Sequence, residues 1–546
     1  MSFKRNALYY GDNLKILRDN EYIPSASVDL IYLDPPFNSN RNYNVLFKDE
    51  SGFEADAQIV AFEDTWHWDD SARESYYELI HNTPPHISKM IGSLKDFIGA
   101  NQMMAYLVMM SVRLLELHRV LKDTGSLYLH CDPTVSHYLK IVLDSIFDPK
   151  NFKNEIVWQR INAKSNAFTK FASNHDVIFR YAKSDRTIWN PLYTAHNPEY
   201  LKTFYRFTEE ETGRIYRLDN LANPNKNRPN LTYKFLGVTR VWRWTKERMQ
   251  EAYEKGLIVQ SKPGAVPALK RYLDEQEGNP IGDTWTDILP VQSRSKELLG
   301  YQTQKPLSLL ERIIQASSNE GDVVLDPFCG CGTAVAAAQK LNRRWIGIDI
   351  THLAIAIQKY RLKDMFGLEP KKDYDIVGEP EDSGSARQLA QDDRYQFQWW
   401  ALSLVQAKPV GGEYGSKKGK KGKDRGVDGI ITFIDDADEK PKIIAVQVKS
   451  GNVKSGDIRD LVGTVETEKA AMGLFITLEE STRDMRTAAA DAGVYYSPGW
   501  GKAYPKIQIF TVEDLMNGAA VNMPPIQATF KRAEKENGKD FDQLGL

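Results

Sequence analysis

Two short apolar runs, each ending on an aspartate followed by proline, restrict this chain more than any other feature. The first, Val28-Asp29-Leu30-Ile31-Tyr32-Leu33, runs into Asp34-Pro35-Pro36-Phe37. The second, Val323-Val324-Leu325, runs into Asp326-Pro327-Phe328-Cys329-Gly330-Cys331-Gly332-Thr333. Their length and their β-branched and aromatic content are those of buried strands. After the first run, two prolines fix their own φ and bias Pro35 toward an extended backbone. Neither has an N–H, so the local carbonyls remain as acceptors. The result is a stiff rim with one carboxylate, free carbonyls and an aromatic face, suited to a flat group that carries an amino donor. An isolated Asp-Pro-Pro is more often a plain strand-to-loop turn. The surroundings must decide.

Around the first run, strands alternate with helices. Leu8-Tyr9-Tyr10 reads as a strand, followed by Gly11-Asp12-Asn13, where Asp12 is either a helix cap or a ligand contact. Apolar spacing from Asn101 to Lys122 predicts a helix closed by Gly125. A strand over 126–130, a helix over 134–146 and strands at 156–158 and 177–181 follow. This alternation predicts a doubly wound α/β sheet. His118, His130 and His175 lie in these elements at no metal-ligand spacing, so structural roles are expected. Phe62 to Asp69, dense in aromatics and acids, suits a packed corner as well as a substrate contact.

From about Trp189 to Gly282 the alternation is lost, and it resumes where Gln304-Lys305-Pro306 opens a helix. The lost stretch interleaves basic and aromatic residues, notably Arg240, Trp242, Arg243, Trp244 and Lys246. That pattern suits phosphate contacts and base stacking, though arginines laid over a tryptophan-rich surface would look the same. In the second apolar motif, glycines let a ligand approach the backbone and the following helix N-terminus favours an anionic group. Trp345-Ile346-Gly347-Ile348-Asp349 ends on an acid placed for ribose hydroxyls. Val335 stands where a dinucleotide fingerprint has its third glycine, so a nucleoside with a small charged tail fits better.

A length of 546 residues predicts three or four domains. The net charge of −2 carries no global nucleic-acid signature, so any such contact must come from local patches. No apolar run approaches the roughly 18 residues of a membrane span, and the polar N-terminus does not read as a signal peptide. Cys131, Cys329 and Cys331 form neither a disulfide framework nor a usual zinc knuckle. A reduced, cytoplasmic protein is expected.

Past Gly367 the chain turns charged and then Gly/Ser-rich, which predicts a linker. A helix around Arg394 to Gln406 leads to Lys417 to Arg425, a basic run that is either solvated or set against phosphates. Then Asp428 lies in a turn, while Gln447 and Lys449 are two apart in a strand and share a face. An acid, an oxygen ligand and a lysine meeting across a hairpin can hold Mg2+ and activate water for phosphodiester hydrolysis.

From about residue 8 to 370 these motifs resemble the S-adenosylmethionine-dependent amino-methyltransferases of DNA bases, with the β-group order of motifs, a circular permutation of the common core. The resemblance implies a Rossmann-like methyltransferase sheet with a catalytic tetrapeptide Asp34, Pro35, Pro36 and Phe37. It implies cofactor contacts at Asp12, Asn13, Thr303, Lys305, Asp326, Phe328, Gly330, Gly332, Thr333 and Asp349, with 303–306 closing over the methionine end. The insertion would read double-stranded DNA through Arg240, Trp242, Arg243, Trp244 and Lys246. Asp428, Gln447, Lys449 and Gly473 to Thr477 resemble the PD-(D/E)xK nucleases in which Gln replaces the second acid. The usual upstream helix Glu is lacking: the helix offers Gln396 and Gln398, and Glu413 lies only in the loop. The expected domains are 1–189 and 283–370 for the methyltransferase core, 190–282 for target recognition, 371–390 as linker, 391–520 as the nuclease-like α/β domain and 521–546 as a tail. The implied reaction is methyl transfer to an exocyclic amine of a flipped base, with adenine N6 favoured and cytosine N4 as alternative. Mg2+ would serve a bifunctional methyltransferase–endonuclease. A non-catalytic DNA-binding protein and an RNA substrate stand as further alternatives. Expected companions are a second copy of the chain and other restriction–modification subunits.

Overall fold

A computed structural model of the chain describes residues 5–36, 67–162, 171–292, 303–410, 426–435 and 441–527, the backbone of 42–45 and 59–63, and residues 169, 295, 297–299 and 529. Phe37, Glu413 and the basic run 417–425 lie outside the described residues.

The two acid-ended runs become neighbouring central strands of a nine-stranded sheet. Its order is Thr284–Trp285, Phe152–Gln159, His175–Ala182, Leu121–Cys131, Val28–Leu33, Val323–Asp326, Arg344–Asp349, Ala7–Tyr10 and Asp375–Val377. All pairings are parallel except those of His175–Ala182, which runs antiparallel to both its neighbours. Every residue of Val28–Leu33 is buried. A parallel strand covered by helices on both faces has no solvent side, hence its apolar run; the one acid within it, Asp29, is paired with the Lys122 ammonium at 2.8 Å.

The long helix spans Gln102–Val120 and is capped by Asn101, whose side chain accepts from the Met104 N–H at 3.1 Å. It does not end at Gly125 as its spacing suggested. Leu121 already pairs with Val28, and Gly125 lies inside the strand Leu121–Cys131. A Cβ there would stand 2.8 Å from the Asp29 carbonyl oxygen, so the glycine serves close strand approach.

The stretch expected as a linker, 371–390, is structured instead. Asp375–Val377 adds a strand beside Ala7–Tyr9. Asp382 and Ser385, in the Gly/Ser-rich part, form a reciprocal capping box that starts the helix Ser383–Asp392. Beyond it, Arg394–Leu404 packs against a sheet ordered Lys408–Pro409, Gly429–Ile434, Pro441–Lys449, Met472–Thr477 and Ile507–Thr511. The first three strands are antiparallel, and the last two add in parallel.

Residues Pro191–Gly282 belong to a unit of their own. It carries a four-stranded antiparallel sheet, a hairpin of Thr232–Phe235 and Val238–Val241, and a core of Leu221, Phe235, Trp242, Met249 and Leu269. Trp242, expected to stack on bases, is fully buried in this core, and its indole N–H donates to the Tyr233 carbonyl at 2.9 Å. It is an anchor of the unit. Among the described residues, no helix is long and apolar enough to cross a membrane.

Candidate active site

In the parallel register Leu325 lies opposite Ile31, so the loops after the two central strands leave the sheet side by side. Asp34 heads one and Asp326 the other. The Lys305 ammonium pairs with Asp34 Oδ2. Asp34 Oδ1 is buried and has no hydrogen-bond partner among the described residues. A buried carboxylate oxygen in that state costs free energy unless a donor reaches it. Pro35 is buried beside it and Pro36 half-buried.

Beneath this rim runs a chain of buried polar groups. The Tyr32 hydroxyl meets His130 Nδ1 at 2.9 Å, and His130 Nε2 meets Asp176 Oδ2 at 3.1 Å. Burial, and then the nearby Asp34, Asp326 and Asp176 carboxylates, push the Tyr32 hydroxyl well above its ordinary range. Tyr32 therefore stays neutral and polar under the rim.

The second loop is built around bare backbone. Gly330 has φ +49° and Gly332 φ +73°, left-handed values that glycine takes without strain. Gly332 caps the helix Thr333–Lys340, leaving that helix's first N–H groups open to an anionic ligand. Asp349 Oδ2 accepts from the Gly330 N–H at 2.9 Å, and its Oδ1 accepts from both the N–H and hydroxyl of Thr351 at 2.9 Å. Burial raises the Asp349 carboxyl, and burial, then the Asp34 and Asp349 charges, raise that of Asp326. Phe328 is half-buried against the core and donates its N–H to Asp326 Oδ1 at 3.1 Å.

Asp12 caps the helix Asn13–Arg18, accepting from the Leu14 N–H at 2.7 Å. Asn13 reaches across, donating to the Pro327 carbonyl at 2.7 Å. Thr303 is half-buried on the segment that carries Lys305. Bare glycine backbone, a helix N-terminus, the half-buried Asp349 and the unpaired Asp34 oxygen form a donor and acceptor set that fits a nucleoside with an amino-acid tail.

Several supporting residues escaped the sequence reading. Arg113 donates to Asn13 Oδ1 at 2.6 Å and pairs with Asp12 at 3.3 Å. Gln358 donates to the Gly330 carbonyl at 2.8 Å, and Arg361 to Thr333 Oγ1 at 3.1 Å. An arginine within the apolar face of the 102–120 helix was the one available signal.

Of the other expected contacts, Arg240, Arg243 and Lys246 are exposed on the 191–282 unit. Trp244 is half-buried, with the Arg248 guanidinium 4.3 Å from its ring centre. In the C-terminal domain, Asp428 accepts from the Gln398 amide at 3.1 Å through Oδ1 and from the Val448 N–H at 2.8 Å through Oδ2. Gln447 is buried and Lys449 half-buried. Among the described residues the site offers one carboxylate, Asp428, beside an amide where a second acid would stand, and no group of three metal-ligating side chains gathers there, a donor set that fits a divalent cation poorly.

Fold and site together define a Rossmann-like α/β sheet whose nucleoside-type loop and carboxylate rim come from stretches about 290 residues apart in the sequence. The chain belongs to the N6/N4 DNA methylase family: the family described as "DNA methylase" matches residues 28–359. A second family, described as "NACHT-associated inactive Restriction Endonuclease 1", matches residues 412–517. The type II methyltransferase M.EcaI of Enterobacter cloacae is 31% identical over 50% of this chain and 60% of its own length. The Mod subunit of the type III restriction–modification enzyme StyLTI of Salmonella typhimurium is 26% identical over 62% of this chain and 50% of its own. The chain thus spans between half and three-fifths of these two relatives. Among solved structures, a DNA modification methylase from Thermus thermophilus, complexed with S-adenosyl-L-methionine, is 17% identical. The match covers 69% of this chain and 99% of that one, with a TM-score of 0.32.

Proposed function

We propose that the chain methylates an exocyclic amine of a DNA base, adenine N6 first and cytosine N4 as the alternative, with S-adenosylmethionine as donor. The unpaired, buried Oδ1 of Asp34, set beside the glycine loop, carries this reading. An exocyclic amine is a weak nucleophile because its lone pair is delocalised into the ring. Hydrogen bonds from its two N–H groups to Asp34 Oδ1 and the Pro35 carbonyl favour a pyramidal nitrogen and return the lone pair. The bound cofactor supplies an electrophilic methyl group on sulfur. Asp34 and Pro35 then act by orienting the amine and by stabilising the positive charge it acquires. The amine lies inside the duplex, so the base must leave the stack, and Phe37 is the residue assigned to stack on it.

Gly330, Gly332, Thr333, Asp349, Asp12 and Asn13 are assigned to the cofactor, and Arg240, Arg243 and Lys246 to DNA phosphates. The StyLTI relative, a Mod subunit, supports a place in a restriction–modification system with further subunits. A radiolabelled-methyl assay tests the whole reading: Asp34→Ala should lower transfer to DNA by about 100- to 1000-fold, leaving a measurable residue, while cofactor binding is kept. An unimpaired Asp34→Ala enzyme sinks it.

For the C-terminal domain, the amide of Gln447 where a second acid would stand, together with the match to a family described as inactive, favours a nuclease-like fold that holds DNA without cutting it. Supercoiled plasmid incubated with Mg2+ should stay intact. Nicking that disappears in Lys449→Ala would reverse this.

A further inference from the structure

The family resemblance gives Lys305 to the methionine end of the cofactor. The geometry points elsewhere, and we propose that Lys305 is a positioning residue for the catalytic carboxylate, holding Asp34 by Oδ2 so that Oδ1 alone faces the substrate amine. The proposal rests on the amino-methyltransferase reading and deepens it.

The contact lies out of solvent: the Lys305 and Asp34 side chains are 13% and 15% exposed. A pair at that depth is screened far less than a surface pair. A carboxylate free to turn about its Cβ–Cγ bond could offer the amine either oxygen, or both at poor angles. With Oδ2 held, that rotation is fixed and one acceptor remains, the oxygen that has no partner among the described residues.

The lysine itself is delivered by pinned backbone. Gln304 donates to the Glu297 carbonyl at 2.6 Å and accepts from the Leu299 N–H at 2.8 Å. On the other side, Glu297 accepts the N–H of Leu307, the first residue of the helix Leu307–Ser317. The residues flanking Lys305 are thus tied to one short segment, and the ammonium is held in place from behind. Several carboxylates lie within reach of its charge. Lys305 acts on Asp326 and on Asp176 as well as on Asp34. Its positive charge offsets the mutual repulsion of acids gathered at adjacent strand ends.

The test uses the full chain, tritium-labelled S-adenosylmethionine and genomic DNA free of amino-methylation. Lys305→Gln and Lys305→Ala should lower kcat by about thirty-fold or more with cofactor KM and dialysis Kd within about three-fold, and Lys305→Arg should recover most of the loss. Added to Asp34→Ala, Lys305→Ala should cost less than about two-fold further, because a residue acting through Asp34 has nothing left to act on. Retained cofactor binding shows that each variant is folded. Cofactor Kd raised about ten-fold with kcat kept would make Lys305 a cofactor clamp and overturn the proposal. A kcat within about two-fold of wild type, or fully additive losses, would overturn it equally. A wild-type protein that transfers no methyl group would remove the parent reading and this proposal together.

Discussion

The side-chain amide of Asn13 donates to the carbonyl of Pro327, 2.7 Å away across a separation of 314 residues. This bond ties the loop after the first strand of the chain to the glycine loop. It lets two segments far apart in the sequence form one rim. Arg113, donating to Asn13 Oδ1, fixes which way the amide points.

Asn13→Ala removes the bridge and leaves the Pro327 carbonyl and an Arg113 donor without their partner. Leaving a buried polar group unsatisfied costs about 1–3 kcal/mol. Affinity for S-adenosylmethionine should fall about ten-fold, and urea unfolding should show a loss of that size. Calorimetric titration giving an unchanged Kd would show that the two loops hold together without Asn13.

Gly332→Ala meets two obstacles. Its φ is +73°, and an added Cβ would stand 2.7 Å from Gln358 Cγ. Left-handed strain alone costs about 1–3 kcal/mol, and Gln358 must shift while it also holds the Gly330 carbonyl. Cofactor binding should weaken more than stability does. Melting curves with and without cofactor separate the two: the cofactor-induced rise in Tm should shrink.

Acid should loosen the hold of the helix His352–Phe366 on the 371–390 segment. Burial works against ionisation of Glu379, but the Lys359 ammonium at 2.9 Å and His352 outweigh it and hold the carboxyl down at about 2, against 4.5 ordinarily. The folded value lies below the unfolded one, so this contribution is complete above about pH 4.5 and is lost as pH falls toward 2. In Lys359→Met the slope of Tm against pH between 5 and 2 should flatten. An unchanged slope would assign acid lability elsewhere.

Within the 191–282 unit, a buried tryptophan and an exposed arginine one residue apart should fail differently. Trp242→Ala empties the core and should cost about 3–5 kcal/mol, unfolding the unit. Arg243→Ala should leave melting unchanged, weaken DNA binding, and reduce the salt slope of log K by about one. If Arg243→Ala leaves the salt dependence untouched, that face does not meet phosphate.

The central strands were legible because a strand buried on both faces is apolar at nearly every position; 28–33 departs from this only at Asp29, which is buried with the Lys122 ammonium at 2.8 Å and the Val323 N–H at 2.9 Å as partners. The acids that end the strands were legible because the prolines after them mark where each strand stops. The residues that brace the neighbouring loops were not. Gln358 and Arg361, on the glycine loop, and His130 and Asp176, behind Tyr32, act through long-range hydrogen bonds, which leave no periodicity. Trp242 was misread because Arg-Val-Trp-Arg-Trp has the same composition whether the indole faces bases or a core. The Asp382 to Ser385 stretch reads as flexible by composition, while its capping geometry makes it a helix start.

The order of the sheet also sets a timetable for the ribosome. The strand Val28–Leu33 can pair with Leu121–Cys131 early, but its other edge waits for Val323–Asp326, about 290 residues later. At typical synthesis rates of about 5–20 residues per second, that edge stays open for roughly 15–60 s. An open hydrophobic strand edge is a template for pairing with the wrong chain. The strand that leads into Asp34 is thus made early and completed late, which should make the nascent chain a client for chaperones. Ribosome-bound chains stopped before residue 320 should exchange the amides of 28–33 rapidly, and chains stopped well beyond 350 should protect them.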